Sequence, residues 1–149
     1  MTAHNATLIT GNSSSIGRVL KVIMNWLYAR PVSITQLVFM SSGAAVNGNK
    51  GWSGYEFSKA ALNMMARLYA HEFPDTHIAA FAAGMVHTKM LDDVCDSVDS
   101  SRYPSTQALK AAIGTERMPE SRAAGRMLTD AFERLPAYPS GSFLDIRTR

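Results

Sequence analysis

The chain has 149 residues, 46% of them hydrophobic, and its 15 Lys and Arg against 12 Asp and Glu give a net charge of +3. This size predicts one domain, residues 1–149, with enough buried surface to close a core. The charges are scattered, which argues against a nucleic-acid partner, and no stretch has the length and hydropathy of a membrane span or signal peptide. We therefore expect a cytoplasmic protein with no membrane partner. The lone Cys95 is expected to be a buried apolar residue.

Four short apolar runs and three longer periodic stretches organise the chain. The runs predict β-strands at 6–10, 37–41, 77–82 and 142–147. Apolar residues at helical spacing predict helices at 16–30, 54–73 and 120–135. Strands that alternate with helices are typical of an α/β fold with a parallel sheet.

The stretch 89–118, called the excursion below, separates the last two helices from each other. It is polar and mixed, with one short helical candidate at 105–112. A connection of this length is either a lid over a site or an ordinary surface loop.

A glycine-rich turn follows the first strand. Its sequence is TGNSSSIG, residues 10–17, and it leads directly into a helix, where free backbone N–H groups can hold a phosphate. It is not a P-loop, because Arg18 and Val19 follow Gly17 in place of Lys and Ser or Thr. The alternative is a serine-rich turn that only caps the helix.

A tyrosine and a lysine lie four residues apart near the start of the second predicted helix. At this spacing Tyr55 and Lys59 project from one face of the helix. A lysine charge beside a phenol, whose usual pKa is about 10, lowers that pKa and suits the tyrosine to acid–base work. Ser42 precedes Tyr55 by 13 residues at the end of a strand, and the segment AGMVHT, residues 83–88, follows the next strand.

The four histidines share no spacing typical of metal ligands, so we predict no metal site. His87 lies in the AGMVHT segment and is expected to be a solvated loop residue; the alternative is that it tunes substrate binding.

The turn, the strand that ends in Ser42, the Tyr55/Lys59 pair and the AGMVHT segment occur in the order typical of the short-chain dehydrogenase/reductase family, which the chain resembles. That family carries a TGxxxGxG turn, a strand ending in Ser, YxxxK and PGxVxT. The stretches SSGAA, KGWSGYEFSKAALNMM and SGSFLDIR are most similar to its sepiapterin reductase and benzil reductase group. The resemblance implies a truncated Rossmann-like sheet of about four strands flanked by helices.

The chain departs from the family pattern at two positions and in the length of one interval. Ser15 replaces the middle glycine of the turn, and Ala83 replaces the proline of the later motif. The third departure is larger, because only 24 residues separate Gly17 from Ser42, whereas a single βαβ unit takes about 30. The family places several such units here, with the residues that hold the cofactor's adenine and ribose and the Asn of its catalytic tetrad. The first strand is therefore predicted to lie directly beside 37–41.

The resemblance implies a role for each candidate residue. Tyr55 would protonate a carbonyl oxygen, Lys59 would hold the nicotinamide ribose and lower the pKa of Tyr55, and Ser42 would bind the carbonyl. Asp145 falls where sepiapterin reductases anchor the pterin; the alternative is an acidic residue that merely ends a strand. The residues implied in cofactor binding are Gly11, Ser13, Ile16, Gly17, Tyr55, Lys59, Gly84, Val86 and Thr88.

By this resemblance the protein is an NAD(P)H-dependent oxidoreductase that reduces a small-molecule ketone, diketone or pterin-like side chain. The cofactor is NADP or NAD, with NADP favoured. The apolar stripe of helix 54–73 suits the core or a subunit interface, and in the family this helix packs against a second subunit, so a homo-oligomer, dimer or tetramer, is expected. The alternative function is a catalytically impaired remnant that acts as a binding or dimerisation module.

Overall fold

The computed structural model describes residues 7–10, the helical residues Val22, Asn25 and Ala29, and residues 34–148. Four strands form one sheet: β1 (Thr7–Thr10), β2 (Gln36–Ser41), β3 (His77–Ala82) and β4 (Ser142–Asp145). The helices within these ranges are α1 (Ala44–Asn47), α2 (Ser53–Glu72), α3 (Lys89–Ser97), α4 (Pro104–Ala112) and α5 (Ser121–Arg134), with short 3-10 turns at Leu135–Ala137 and Ile146–Thr148.

All strands run parallel in the order β1-β2-β3-β4. The first strand pairs directly with β2, from Thr7 opposite Gln36 to Thr10 opposite Phe39. This confirms the prediction made from the short interval before Ser42. Among the described residues the last pair of these two strands is Thr10 and Phe39, and Met40 and Ser41 complete β2.

Alternate side chains of the inner strands point to opposite faces of the sheet, and each face carries a core. On one face Leu37, Phe39, Ile78 and Ala80 pack against Met65 and Ala66 of α2. On the other face Val38, Ala79, Phe81 and Leu144 pack with Leu135, and Leu128, Ala131 and Phe132 of α5 lie against them. The sheet is therefore covered on both faces, as expected for parallel strands whose sequences are almost wholly apolar.

Most predicted elements are confirmed, with three differences. The four-residue helix α1, Ala44–Asn47, was not predicted. The last strand ends at Asp145, not 147, because the Asp145 side chain accepts a hydrogen bond from the Arg147 amide at 2.9 Å and turns the chain. The excursion contains a helix that was not predicted, α3, in addition to α4 at the predicted 105–112. Cys95 lies on α3 and is buried, as expected.

Of the predicted helix 16–30, only Val22, Asn25 and Ala29 fall within the described residues, and all three are helical and exposed. In the part of the chain that the structure describes, no helix combines the length and the apolar character that crossing a bilayer requires.

Candidate active site

Three strands end level with one another at the carboxyl edge of the sheet. Ser41 pairs with Ala82, and Ala82 pairs with Asp145. The segments that follow, which begin at Ser42, Ala83 and Ile146, therefore leave the sheet side by side. Parallel α/β sheets bind their ligands at this edge.

Ser42 lies between β2 and α1. Its Oγ accepts a hydrogen bond from the Ala44 amide at 3.2 Å, and its carbonyl accepts one from the Ala45 amide at 3.0 Å. Ser42 thus has the backbone-capping contact that a loop serine often makes. A hydroxyl has one proton to donate as well as two lone pairs, so this contact leaves the Ser42 proton for another acceptor.

Tyr55 and Lys59 lie in the first two turns of α2. The Lys59 Nζ is 5.5 Å from the centre of the Tyr55 ring and donates a hydrogen bond to the Met40 carbonyl at 2.9 Å. Met40 is the next-to-last residue of β2. Lys59 is only 6% exposed, and this burial lowers the pKa of its ammonium group, since removal from water disfavours the charged form.

The middle of α2 is fixed to the end of β2 by a pair of residues that sequence reasoning missed, Ser41 and Asn63. Ser41 Oγ donates a hydrogen bond to Asn63 Oδ1 at 2.6 Å and lies 3.4 Å from the Lys59 carbonyl. Ser41 is buried, so this polar contact inside the core fixes the position of Lys59 relative to the strand. The doublet Ser41-Ser42 therefore has one serine facing the helix and one at the edge.

Asp145 is buried at the end of β4 and is held by Arg147. The Arg147 guanidinium donates to both carboxylate oxygens, Nε to Oδ1 at 2.9 Å and Nη2 to Oδ2 at 2.5 Å. These hydrogen bonds hold the pKa of Asp145 below its usual value although burial opposes the shift. A Cβ on Gly43 would lie 2.5 Å from Arg147 Nη2 and 3.4 Å from Asp145 Oδ2, so the ion pair borders the residue after Ser42.

The AGMVHT segment continues from β3 along the same edge. Gly84 has a φ of +74°, which favours glycine, and a Cβ there would lie 3.2 Å from Ile146, so this segment packs closely against the end of β4. Val86 is half-buried. Thr88 is the N-cap residue that precedes α3, and its side chain makes no capping hydrogen bond, which leaves its hydroxyl for another partner.

His87 is not only the solvated loop residue that was expected. Its Nδ1 lies 2.9 Å from Glu120 Oε1 and its Nε2 lies 2.8 Å from Asp92 Oδ1. The residue does lie in a loop and is partly exposed, but its pairing with Glu120 was not predicted, because Glu120 is 33 positions away and only the fold brings it to His87. Among the described residues no group of three or more His, Cys, Asp or Glu could hold one metal ion.

The excursion contacts the start of α2. Trp52 Nε1 donates a hydrogen bond to Ser105 Oγ of α4 at 2.7 Å, and the Lys50 Nζ lies 6.0 Å from the centre of the Tyr103 ring. Trp52 in turn packs edge-to-face on Tyr55, with ring centres 5.8 Å apart. The excursion is therefore connected through Trp52 to the candidate tyrosine.

The candidate phosphate-binding residues Gly11, Ser13, Ile16 and Gly17 lie outside the described residues. The candidates that are described, Ser42, Tyr55, Lys59, Gly84, Val86, Thr88 and Asp145, all lie on α2 or on segments at the carboxyl edge of the sheet.

The comparison with protein families matches residues 7–99 to the short chain dehydrogenase family. The match covers more than half of the 149 residues. The chain belongs to this family, and the resemblance inferred from its motifs is confirmed.

Two curated relatives come from the group that the sequence resembles. The benzil reductase ((S)-benzoin forming) of Saccharomyces cerevisiae is 37% identical over 89 residues, which cover 58% of this chain and 34% of the relative. The sepiapterin reductase of Xenopus laevis is 27% identical over 173 aligned positions, covering 97% of this chain and 64% of the relative. The chain thus spans less than two thirds of the length of either protein.

Solved structures share the fold at low identity. A short chain dehydrogenase/reductase from Saccharomyces cerevisiae superposes with a TM-score of 0.62 at 23% identity, over 74% of this chain and 45% of the other. An angucycline C-6 ketoreductase with bound NADP superposes with a TM-score of 0.60 at 15% identity, over 85% of this chain and 47% of the other. A 4-hydroxyisoleucine dehydrogenase complexed with NADH superposes with a TM-score of 0.51 at 17% identity, over 86% of this chain and 50% of the other. Both nicotinamide cofactors therefore occur among proteins with this fold.

Proposed function

We propose that the protein is a carbonyl reductase that uses NADPH or NADH to reduce a ketone, a diketone or a pterin-like side chain. The observation that carries the proposal is the Tyr55–Lys59 pair, in which a buried ammonium group lies beside a phenol ring at the carboxyl edge of a parallel sheet. Membership of the short chain dehydrogenase family supports an oxidoreductase.

Tyr55 is the proposed general acid. Its hydroxyl donates a proton to the substrate oxygen, and the nearby Lys59 charge stabilises the phenolate that remains. A nicotinamide cofactor, when held there, would supply the hydride. Lys59 uses one of its three N–H donors on the Met40 carbonyl, so two remain, which fits a role in holding the nicotinamide ribose. Because the hydrogen bond to the Met40 carbonyl of β2 holds the Lys59 side chain in place, its remaining donors are oriented before a ligand binds.

Ser42 and Asp145 are the proposed substrate contacts. The Ser42 hydroxyl keeps its O–H bond and donates a hydrogen bond to the substrate carbonyl oxygen, which polarises the C=O bond. Asp145 is ionised beside Arg147, and its carboxylate accepts hydrogen bonds from a substrate N–H such as those of a pterin ring. Gly84, Val86 and Thr88 line the nicotinamide side in this proposal.

Dinucleotide binding is expected to be weak. The interval between Gly17 and Ser42 is too short for the units that grip adenine and its ribose in the family. Each 1.4 kcal/mol of lost contact reduces affinity about tenfold, so the loss of several contacts moves a micromolar constant towards millimolar. We expect titration with NADPH and with NADH, followed by nicotinamide fluorescence, to give dissociation constants near millimolar, with NADPH the tighter.

Lys59→Met, compared with the exposed Lys110→Met as a matched control, tests whether the binding uses the proposed site. Only Lys59→Met should abolish it. Micromolar binding would contradict the weak-binding prediction. The absence of binding at several millimolar would contradict the reductase proposal and favour a remnant that acts as a binding or dimerisation module.

We also propose that the protein is a homo-oligomer that associates through α2. Phe57, Met64 and Leu68 lie on one stripe of this helix and are 74%, 53% and 53% exposed, an apolar surface that association would cover. The double variant Met64→Glu/Leu68→Glu is expected to elute as the 16.2 kDa monomer in size-exclusion chromatography with light scattering. Met127→Glu, at an exposed position of α5, is the control and should leave the oligomer intact. A wild-type monomer would refute the proposal.

A further inference from the structure

The excursion leaves and re-enters the fold at one point, and His87 lies there. The His87 amide donates to the Pro119 carbonyl at 3.0 Å, and the His87 carbonyl accepts from Ser121 Oγ at 2.7 Å. A bridge between His87 and Glu120 adds to these contacts. The two ends of the excursion, residues 89 and 118, are therefore held together at a base formed by His87 and residues 119–121.

The His87 side chain reaches both sides of this base. Nδ1 contacts Glu120 and Nε2 contacts Asp92 in the first turn of α3, as described above. Because the two ring nitrogens contact different carboxylates, the imidazole connects α3 to the segment 119–121. Among the described residues, the charged groups that face the imidazole are these two carboxylates, whereas Lys89 on α3 is paired with Asp93 at 2.6 Å.

Only a charged imidazole can donate to both carboxylates at once. A neutral ring has a single N–H, and its other nitrogen presents a lone pair to a carboxylate oxygen. The hydrogen bond to Glu120 and then that to Asp92 raise the pKa of His87 above its usual value. The stabilisation that the two hydrogen bonds of the charged ring provide is therefore complete below pH 6.5, the usual pKa of histidine. It is lost as the pH rises through the raised pKa of His87.

We propose that His87 is a proton-dependent latch that ties α3 to the base of the excursion when it is charged and releases Asp92 when it is neutral. Asp92 is the partner that leaves, because its amide is held to the Thr88 carbonyl at 3.1 Å by a helix hydrogen bond that is lost when the first turn of α3 opens. Glu120 stays close because the backbone of His87 itself contacts residues 119 and 120. Release loosens the first part of the excursion. Since Ser105, further along the excursion, is hydrogen-bonded to Trp52 beside Tyr55, the latch connects pH to the start of α2.

This inference does not depend on the proposed reductase activity, so its test needs no substrate. We would follow the His87 ring by NMR from pH 5.5 to 9, with the signal assigned by its absence in His87→Gln. Hydrogen exchange of the α3 amides, corrected for the intrinsic pH dependence of exchange, reports opening of the helix over the same range.

The latch predicts that His87 titrates above pH 6.5. The α3 opening constant should rise with pH by up to about tenfold per unit through that titration and then level off. Asp92→Asn should lower the His87 pKa and remove the pH step, because a neutral amide can pair with a neutral imidazole. Asp93 is a neighbouring exposed carboxylate that is paired with Lys89, so Asp93→Asn should keep the raised pKa of His87 and the pH step in α3 exchange. Titration of His87 at or below 6.5, α3 exchange without a step, or an equal effect of Asp93→Asn would overturn the proposal.

Discussion

Tyr55→Phe is expected to reduce the turnover of a diketone or pterin substrate by about 10²- to 10⁴-fold, the range of a lost general acid. Phenylalanine keeps the ring, so it keeps the edge-to-face packing on Trp52 and the position beside the Lys59 ammonium. It removes only the hydroxyl group, and with it the proton that the substrate oxygen is proposed to receive. Initial rates at a saturating or near-saturating concentration of NADPH, compared with the wild type, measure the loss.

Tyr69→Phe on the same helix is the matched control. Tyr69 packs in the core between Phe39 and Phe73, far along α2 from the carboxyl edge, and the same chemical change there should leave the rate within about a factor of two. Cofactor titration of Tyr55→Phe should give the wild-type constant within a few-fold. Undiminished turnover in Tyr55→Phe would show that another group supplies the proton.

The largest effect on stability is expected from Phe81→Ala. Phe81 is 1% exposed on β3 and packs edge-to-face on Phe132 of α5, with ring centres 5.4 Å apart. Removal of a buried phenyl group costs about 3–5 kcal/mol, because transfer free energy is lost and a cavity remains. Urea unfolding followed by circular dichroism should show a lower midpoint with an unchanged slope.

A control for this substitution is Met90→Ala on α3, where the side chain is 61% exposed. Its free energy of unfolding should change by less than about 0.5 kcal/mol. If Phe81→Ala unfolded at the same urea concentration as the wild type, the core on the α5 face would not carry the stability assigned to it.

The sequence was sufficient to predict the strands and helices whose apolar residues follow a strong pattern. The strands are short apolar runs and α2 repeats its apolar residues over five turns, so tertiary contacts reinforce what the local pattern favours. The pairing of β1 with β2 also followed from counting, since the 24 residues before Ser42 leave no room for another unit. These predictions used only the local apolar pattern and the number of residues between neighbouring motifs.

The helix α3 was missed although the sequence contained its signal. Leu91, Val94, Cys95 and Val98 recur at helical spacing, and all four are at least partly buried. The acidic residues between them made the stretch look polar as a whole. A window centred on these four positions identifies the helix.

The candidate site was predictable in its residue types and not in its partners. Tyr55 and Lys59 could be paired by spacing alone, but the Met40 carbonyl that Lys59 binds is 19 positions away. Arg147 is only two residues from Asp145, yet their bidentate pair needs the turn that ends β4. The contacts of His87 likewise depend on the return of the chain at Glu120.

The placement of α2 and α5 on opposite faces of the sheet has a consequence for chirality. The steps from β2 to β3 and from β3 to β4 go in the same direction across the sheet. Two crossovers of the same handedness that step in the same direction would place their helices on the same face of the sheet. Because α2 and α5 lie on opposite faces, one of the two crossovers must be left-handed, which is rare among parallel connections. The β3–β4 connection, residues 83–141, is by far the longer of the two. Its length gives the chain the reach to pass to the other face, and the excursion is the segment that provides this reach.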